Sequence, residues 1–278
     1  MQIWEFTFII WLGSVLAGLL GSLTGLGGGV VIVPLLALGL GVDIHYAIGA
    51  SLVSVIATSS GAAVAYVKEG YSNIRVGMLL EIATTLGATG GALLAAIIAP
   101  KFIALLFGAV LIFSVYHSIK GPKPSADDAP PDPLALRLRL DGTYPSEGAL
   151  KSYHVRRVPL GFGLMGLAGV LSGLLGIGSG ALKVLAMDQA MRLPFKVSTT
   201  TSNFMIGVTA AASAGIYLNR GYIDPGLSMP TMLGVLVGSI MGTRILAGAR
   251  TRALRWLFAG VIFALGVEMI YNGLSGRL

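Results

Sequence analysis

The sequence lacks cysteine and is poor in charged residues and in histidine, and these shortages exclude several classes of protein. Without cysteine there is no disulfide framework and no thiolate metal site. The three histidines, His45, His117 and His154, are widely scattered, which argues against a metal centre. Charged residues make up 11% of the chain, whereas a soluble domain usually carries about 25%. So few charged residues cannot cover a surface that faces water. We expect neither a metal nor a cofactor.

Long apolar runs are abundant instead. A membrane-spanning helix needs about 20 predominantly apolar residues, and the chain contains eight such runs. Its 40 glycines are expected to let helices pack closely inside lipid. The sequence therefore predicts an all-α polytopic membrane protein. The eight runs cover residues 6–24, 45–67, 75–99, 102–120, 158–175, 197–219, 226–249 and 254–274.

The net charge of +7 does not indicate nucleic-acid binding. Lys and Arg are concentrated in the short segments between the apolar runs, and this distribution is typical of membrane topology signals. The first 20 residues have no basic region and include Glu5, so we interpret them as the first span and not as a cleaved signal peptide.

A polar segment divides the apolar runs into two groups of four. Within it, residues 134–140 alternate with a period of two, and Asp141-Gly142 is a hairpin-turn signal. Residues 152–157 could supply the return strand, so we expect a small extramembrane β-hairpin. The predicted domains are a first transmembrane repeat at 1–120, a polar cytoplasmic linker at 121–157 and a second transmembrane repeat at 158–278.

The two groups of spans resemble each other. Aligned on itself with an offset of 151 residues (176 minus 25), the sequence matches without a gap. We therefore predict two homologous repeats, each with about four full spans and one broken half-helix. Matching pairs include Gly18 with Gly169, Gly25 with Gly176, Gly27 with Gly178, Gly87 with Gly238, and Gly70-Tyr71 with Gly221-Tyr222.

The positions of the basic residues predict that the repeats are inverted. The linker and the 68–75 loop are basic, and we place both in the cytoplasm. The densest basic cluster of the second half, Arg250 to Arg255, corresponds to residues 99–104 of the first half. Both clusters are cytoplasmic only if the halves face opposite ways. Each half would then cross the membrane an odd number of times, with the half-helix completing a crossing.

Glycine-rich breaks occupy matching places in the two repeats and precede apolar segments too short to span. An unwound stretch inside a membrane must be buried in protein or line a cavity. The half-helix that follows presents free N–H groups and the positive end of its dipole, which suits an anion. Matching breaks predict a transporter site, although glycine-packed helix crossings could explain them as well. The candidate residues are Gly25, Gly27, Gly28 and Gly29, and Gly176, Gly178, Ser179 and Gly180.

Other polar residues near the breaks are candidates for substrate binding. Lys183 either supplies a cation for an anionic substrate or snorkels to the membrane interface. Ser51, Ser202 and Asn203 either bind the substrate or make ordinary interhelical hydrogen bonds.

Glu81 lies deep in a span, where an ionisable residue is costly and usually functional. It is either a coupling group that relays protons or a hydrogen-bonded packing residue. The chain shows no nucleophile with a partner base and no paired carboxylates on one helix face, so we do not expect an enzyme.

Two segments resemble the signatures of the TauE/SafE sulfite exporter family. The first is Thr24-Gly25-Leu26-Gly27-Gly28-Gly29-Val30-Val31-Ile32-Val33-Pro34, and the second comprises residues 176–184 and 195–215. The resemblance implies a transporter in the plasma (inner) membrane for sulfite, sulfonates, thiosulfate or related anions. Two positions depart from the usual pattern: Ser179 interrupts the glycines, and Leu185 stands where the family often has proline.

Three functions therefore remain as alternatives. The leading hypothesis is a transporter of small sulfur-containing anions, held between the two breaks. The others are a proton-coupled cation or metabolite carrier that uses Glu81, and a non-transporting scaffold whose linker recruits a soluble partner. The expected partners are a small anion and the lipid bilayer, without nucleic acid; a homodimer is an untested option.

Overall fold

The structure, a computed structural model, describes most of the chain. The described residues are 3–24, 28–68, 71–120, 132–146, 149–246 and 251–275. Two of the predicted site residues, Gly25 and Gly27, lie outside these ranges, as does Arg250.

The fold is helical, with one two-stranded sheet among the described residues. Prolines begin several helices, because a residue in the first turn needs no helical acceptor for its N–H. The elements of the first half are α1 (Ile3–Thr24), α2 (Gly29–Pro34), α3 (Ile44–Lys68), α4 (Ile74–Ala95) and α5 (Pro100–Lys120). The linker forms α6 (Pro133–Arg137), β1 (Gly142–Ser146) and β2 (Ala149–Tyr153), and the second half forms α7 (Val158–Leu175), α8 (Gly180–Leu185), α9 (Phe195–Asn219), α10 (Pro225–Leu246) and α11 (Thr251–Ser275).

Each of the eight predicted spans coincides with a long helix. By length and composition, three segments of the described chain can cross a membrane: Trp4–Gly21, Ile74–Ala95 and Val158–Leu175. Shorter apolar stretches lie in α3, α5, α10 and α11. The α9 helix, which carries the polar run 198–203, is not among them.

Glycines bring helices of the two halves into backbone contact. A Cβ atom added to Gly18 of α1 would collide with the carbonyl of Val235 in α10. In the same way, a Cβ added to Gly169 of α7 would collide with the carbonyl of Thr84 in α4. The α1–α10 and α4–α7 crossings therefore depend on small residues, as is usual for helices packed inside lipid.

The α3 and α9 helices pack against each other in antiparallel directions. Gly49, near the start of α3, lies against the carbonyl of Tyr222, which follows the end of α9. Gly207, in the middle of α9, lies against Ser59 in the second half of α3.

The α5 and α11 helices are antiparallel as well. Gly108 of α5 contacts Gly266 of α11, and Gly273, near the end of α11, contacts Lys101 at the start of α5.

The linker differs from its prediction. Residues 133–137 form the α6 helix and not a strand, because Asp132 caps it by accepting a hydrogen bond from the Leu134 N–H at 2.8 Å. The period-two alternation was misleading on a segment this short. The observed hairpin pairs Gly142 with Tyr153 and Ser146 with Ala149.

The predicted turn residue Asp141 is not in the hairpin turn. Its carboxylate accepts a hydrogen bond from the Val155 N–H at 2.8 Å and contacts the His154 ring at 2.7 Å.

The side chain of Asn73 helps to attach the linker to the helices. Its amide donates to the Leu140 carbonyl at 2.7 Å and to the Tyr153 hydroxyl at 2.8 Å. Its side-chain oxygen caps α4 by accepting from the Val76 N–H, and its own N–H donates to Thr201 of α9. The linker therefore lies at the membrane end where α4 and α9 begin.

Candidate functional site

The second break is the non-helical stretch, residues 176–179, that separates α7 from α8. Gly176 and Gly178 have φ of +67° and +66°, the left-handed region that favours glycine. Ser179, which interrupts the glycines of this break, is left-handed as well, with φ of +45°. Such a conformation costs a residue with a Cβ atom about 1–2 kcal/mol.

Each half-helix turns back along the helix that precedes it. In the first half, Gly28 lies near the carbonyl of Ala17, and Leu35 contacts the earlier residue Gly13. In the second half, Met191 packs against Gly161, near the start of α7. The half-helices thus run antiparallel to the helices that precede them, and the expectation that each completes a crossing stays a prediction.

The breaks of the two halves touch each other. A Cβ added to Gly29, the first residue of α2, would lie 3.1 Å from the Gly176 carbonyl and 2.7 Å from Ser51 Oγ. Ser51 Oγ donates a hydrogen bond to the same Gly176 carbonyl at 2.8 Å. Three predicted site residues, Gly29, Ser51 and Gly176, are therefore in one place.

The second predicted hydroxyl also bonds to a break. Ser202 Oγ donates to the Gly180 carbonyl at 3.2 Å. The neighbouring Asn203 is buried. Ser51 thus bonds to a carbonyl of the second break, and Ser202 bonds to the first carbonyl of α8.

A chain of hydrogen bonds joins the two predicted ionisable residues through a threonine. Lys183, which is 0% exposed, donates through Nζ to Thr209 Oγ1 at 2.5 Å. Thr209 Oγ1 lies 2.6 Å from Glu81 Oε1, to which it can donate its proton. Thr85 donates to the same carboxylate oxygen at 3.1 Å. Because Lys183 is fully buried, the snorkelling alternative is wrong.

Thr209 was not among the site residues predicted from the sequence. Its bond to Glu81 spans 128 residues, and no spacing pattern signals such a contact. The available signal was a hydroxyl in an apolar stretch of α9, which serves equally well for helix packing.

Two buried polar atoms of the site are unpaired. Glu81 Oε2 and Ser179 Oγ have no hydrogen-bond partner within the described part of the protein. Glu81 is 8% exposed and Ser179 is 2% exposed. Lys183 and Glu81 are not in direct contact, since no ion pair within 4.0 Å joins them. The site can therefore accept further hydrogen-bonding groups at Glu81 and at Ser179.

The described residues contain no group of three His, Cys, Asp or Glu side chains that could hold a metal ion. The site chemistry is that of one ammonium, one carboxyl group, hydroxyls and the amides of two helix breaks.

The sequence pattern of the family described as Sulfite exporter TauE/SafE matches residues 10–269. The chain belongs to the TauE/SafE family. The match includes both breaks, Glu81, Lys183 and Thr209, so the whole site lies within the family region.

Relatives of this TauE/SafE chain match most of its length. The probable membrane transporter protein YunE of Bacillus subtilis (strain 168) is 26% identical over 97% of this chain and 99% of its own. The probable membrane transporter protein YdhB of the same organism is 26% identical over 82% and 86%. A probable membrane transporter protein of Methanocaldococcus jannaschii, MJ0441, is 24% identical over 96% and 98%. No solved structure matches the chain.

Membership of the TauE/SafE family and these relatives identify the protein as a membrane transporter and not an enzyme. They favour transport over the scaffold hypothesis.

Proposed function

We propose that the protein carries small sulfur-containing anions, such as sulfite, sulfonates or thiosulfate, across the plasma membrane. The observation that carries this proposal is the burial of Lys183: its side chain is 0% exposed and its ammonium bonds to the neutral Thr209 hydroxyl. A buried charge is costly unless it is paired. An anionic substrate would give Lys183 a direct anionic partner, whereas Glu81 is connected to it only through Thr209.

The breaks add donors that suit an oxyanion. Lys183 lies in the first turn of α8, where the leading N–H groups have no helical acceptor. The unpaired Ser179 hydroxyl is in the same turn. In this proposal Gly28, Gly29, Gly176, Gly178 and their neighbours shape the backbone around the anion, while Ser51 and Ser202 hold the breaks in position.

The two halves, we propose further, are inverted repeats. The antiparallel packing of α3 on α9 and of α5 on α11 supports this, because these helices correspond at the offset of 151 residues. The glycine contacts are reciprocal at the same offset. Gly18 with Val235 matches Gly169 with Thr84, since 18 plus 151 is 169 and 84 plus 151 is 235.

Side-chain contacts repeat with the same reciprocity. The ring of His45 stacks on Tyr222 with centroids 5.0 Å apart. The ammonium of Lys196 lies 5.6 Å from the ring centre of Tyr71. Adding 151 to 45 gives 196, and adding 151 to 71 gives 222, so each half contributes the cation or imidazole to one pair and the tyrosine to the other.

The inverted arrangement can be tested with the natural absence of cysteine. Ile74 and Pro225 are equivalent at the offset of 151 residues, and both are exposed. If the linker face is cytoplasmic, as its basic residues indicate, Ile74→Cys should react with an impermeant thiol reagent from the cytoplasmic side. Pro225→Cys should react from the opposite side. Labelling of both from one side would contradict the inversion.

Transport is tested in proteoliposomes loaded separately with sulfite, thiosulfate, sulfoacetate and taurine. The wild-type protein should accelerate the flux of at least one of the four over empty liposomes. Lys183→Ala should lower that flux at least tenfold, which corresponds to a loss of about 1.4 kcal/mol of binding. Lys101→Ala is the matched control, since Lys101 is exposed and contacts Phe102.

The outcome against the proposal is an absence of flux for all four anions with wild-type protein that elutes as a folded species. Flux that is equal in Lys183→Ala and Lys101→Ala would remove Lys183 from the site.

A second candidate, a proton-coupled carrier of a cation or neutral metabolite, is favoured by the unpaired Oε2 of Glu81. That function requires Glu81 alone. Uptake that survives in Lys183→Ala but vanishes in Glu81→Gln would favour it over anion transport.

A further inference from the structure

The hydrogen-bonded chain of Lys183, Thr209 and Glu81 joins both halves of the protein. Lys183 and Thr209 come from α8 and α9 of the second half, and Glu81 comes from α4 of the first. The Thr209 hydroxyl has one proton and two acceptors in reach, Glu81 Oε1 at 2.6 Å and the Met205 carbonyl at 3.0 Å. The Thr209 oxygen can therefore accept a hydrogen bond from Lys183 while its own proton switches between the two acceptors, without any movement of the oxygen.

Glu81 has one charged neighbour in the described part of the chain, namely Lys183. The α7 helix, which packs against α4, has no titratable side chain. The titratable residues of α9 are engaged elsewhere: Lys196 lies over the ring of Tyr71, and Tyr217 donates to the backbone of α7. The electrostatic balance at Glu81 thus depends on whether Lys183 is available to it.

An anion that binds Lys183 removes this balance. Through the Thr209 bridge, the empty site holds one positive and one negative charge, so its net charge is zero. When the ammonium is paired with a substrate anion, a carboxylate at Glu81 would be an uncompensated buried charge. Such a group is neutralised by binding a proton.

We propose that Glu81 binds one proton each time an anion binds Lys183, so that the protein couples anion transport to proton transport in the same direction. This inference rests on the proposed function. The balance is simple: the proton comes from water on the side where the anion enters, is held on a Glu81 carboxyl oxygen, and leaves with the anion. A monovalent anion then crosses without net charge, and a divalent anion crosses with one net negative charge.

Thr209 is a positioning residue in this scheme. It transmits the occupancy of Lys183 to Glu81 and need not touch the anion. Thr209→Val keeps the shape but removes the hydroxyl, and Thr209→Ser restores it. We expect Thr209→Val to transport with fewer protons per anion, and Thr209→Ser to restore the wild-type ratio.

The coupling is measured in proteoliposomes that contain the pH dye pyranine, with valinomycin and potassium to clamp the membrane potential. Thiosulfate and sulfoacetate serve as probes, because neither changes its protonation near neutral pH; sulfite is a third. Proton movement and anion movement are recorded together for wild type, Glu81→Gln and Glu268→Gln. Glu268 is the matched control, as an exposed carboxyl on α11.

Wild type and Glu268→Gln should move one more proton per anion than Glu81→Gln, whichever probe is used. Glutamine imitates the protonated carboxyl group, so Glu81→Gln should still exchange anion but lose accumulation driven by a pH gradient. The wild-type Kd for the anion should rise up to tenfold per pH unit once Glu81 is ionised, as linkage of one proton requires. In Glu81→Gln the Kd should not depend on pH.

Wild-type flux of thiosulfate or sulfoacetate without proton movement would overturn the coupling and leave the proposed function intact. An equal proton ratio in wild type and Glu81→Gln would also overturn it. If wild type carries none of the anions, the proposed function fails and this inference fails with it. If Glu81→Gln misfolds, the wild-type measurement of protons moved per anion still tests the coupling.

Discussion

Gly91→Ala in α4 should destabilise the protein, whereas Gly90→Ala, one residue earlier, should not. A Cβ added to Gly91 would collide with the carbonyl oxygen of Val170 in α7 and lie 2.8 Å from the carbonyl carbon. A Cβ added to Gly90 meets nothing within 4 Å. The two substitutions share helix and chemistry and differ only in this contact.

The magnitude follows from the geometry. Alanine favours a helix over glycine by about 1 kcal/mol, and this gain is the same in both variants. At Gly91 the helices must separate by roughly 1 Å to restore a normal carbon contact, which loses about a quarter to a half of the dispersion energy there. Overpacking of this kind costs about 1–3 kcal/mol. We expect Gly91→Ala to be less stable than Gly90→Ala by that amount.

The assay is reversible unfolding in mixed detergent micelles, followed by circular dichroism. Because α4 also carries Glu81, separation of α4 from α7 should lower transport in Gly91→Ala while Gly90→Ala keeps wild-type flux. Equal stability of the two variants would refute the reasoning. It would mean that α4 and α7 do not approach each other at Val170.

Three further predictions concern the linker and the second break. Asn73→Ala should cost about 2–3 kcal/mol, from a lost cap and two partners left unpaired, and limited proteolysis should then cut the linker faster than in Asn272→Ala. Burial raises the pKa of the Tyr153 hydroxyl, against the opposing hydrogen bond from Asn73 and with a smaller contribution from Asp141. Because the pKa of Tyr153 is raised in the folded protein, the neutral hydroxyl stabilises linker docking fully below about pH 10. This stabilisation is lost as the pH rises further and the hydroxyl ionises. The difference in tyrosinate absorbance between wild type and Tyr153→Phe measures it, and a Tyr153 that ionises with the free phenols would contradict it. Ser179→Gly should raise stability by about 1 kcal/mol, because it removes left-handed strain, and it should weaken anion binding, because it removes a donor. Thermal unfolding and anion binding, measured on one preparation, test the two effects. Unchanged anion affinity would exclude the Ser179 hydroxyl from the site.

The sequence predicted the helices and the breaks well, for a local reason. In lipid a backbone must satisfy its hydrogen bonds within its own segment, so an apolar run of about 20 residues is sufficient to indicate a helix. The glycines at 176 and 178 likewise indicate left-handed backbone from their own identity.

The linker shows where local patterns fail. Residues 134–140 alternate like a strand, yet the Asp132 cap and the Pro133 helix start decide for a helix. On so short a segment, the cap outweighs the periodicity.

What the sequence by itself determined is the class of protein, the family, the position of nearly every helix and the two places where the chain is interrupted. The tertiary structure alone decided that Lys183 and Glu81 belong to one site, because the sequence had assigned them to rival functions. Their link is Thr209, 26 residues from one and 128 from the other. Helices form from neighbouring residues, whereas a buried charge finds its partner only after the two halves have packed together.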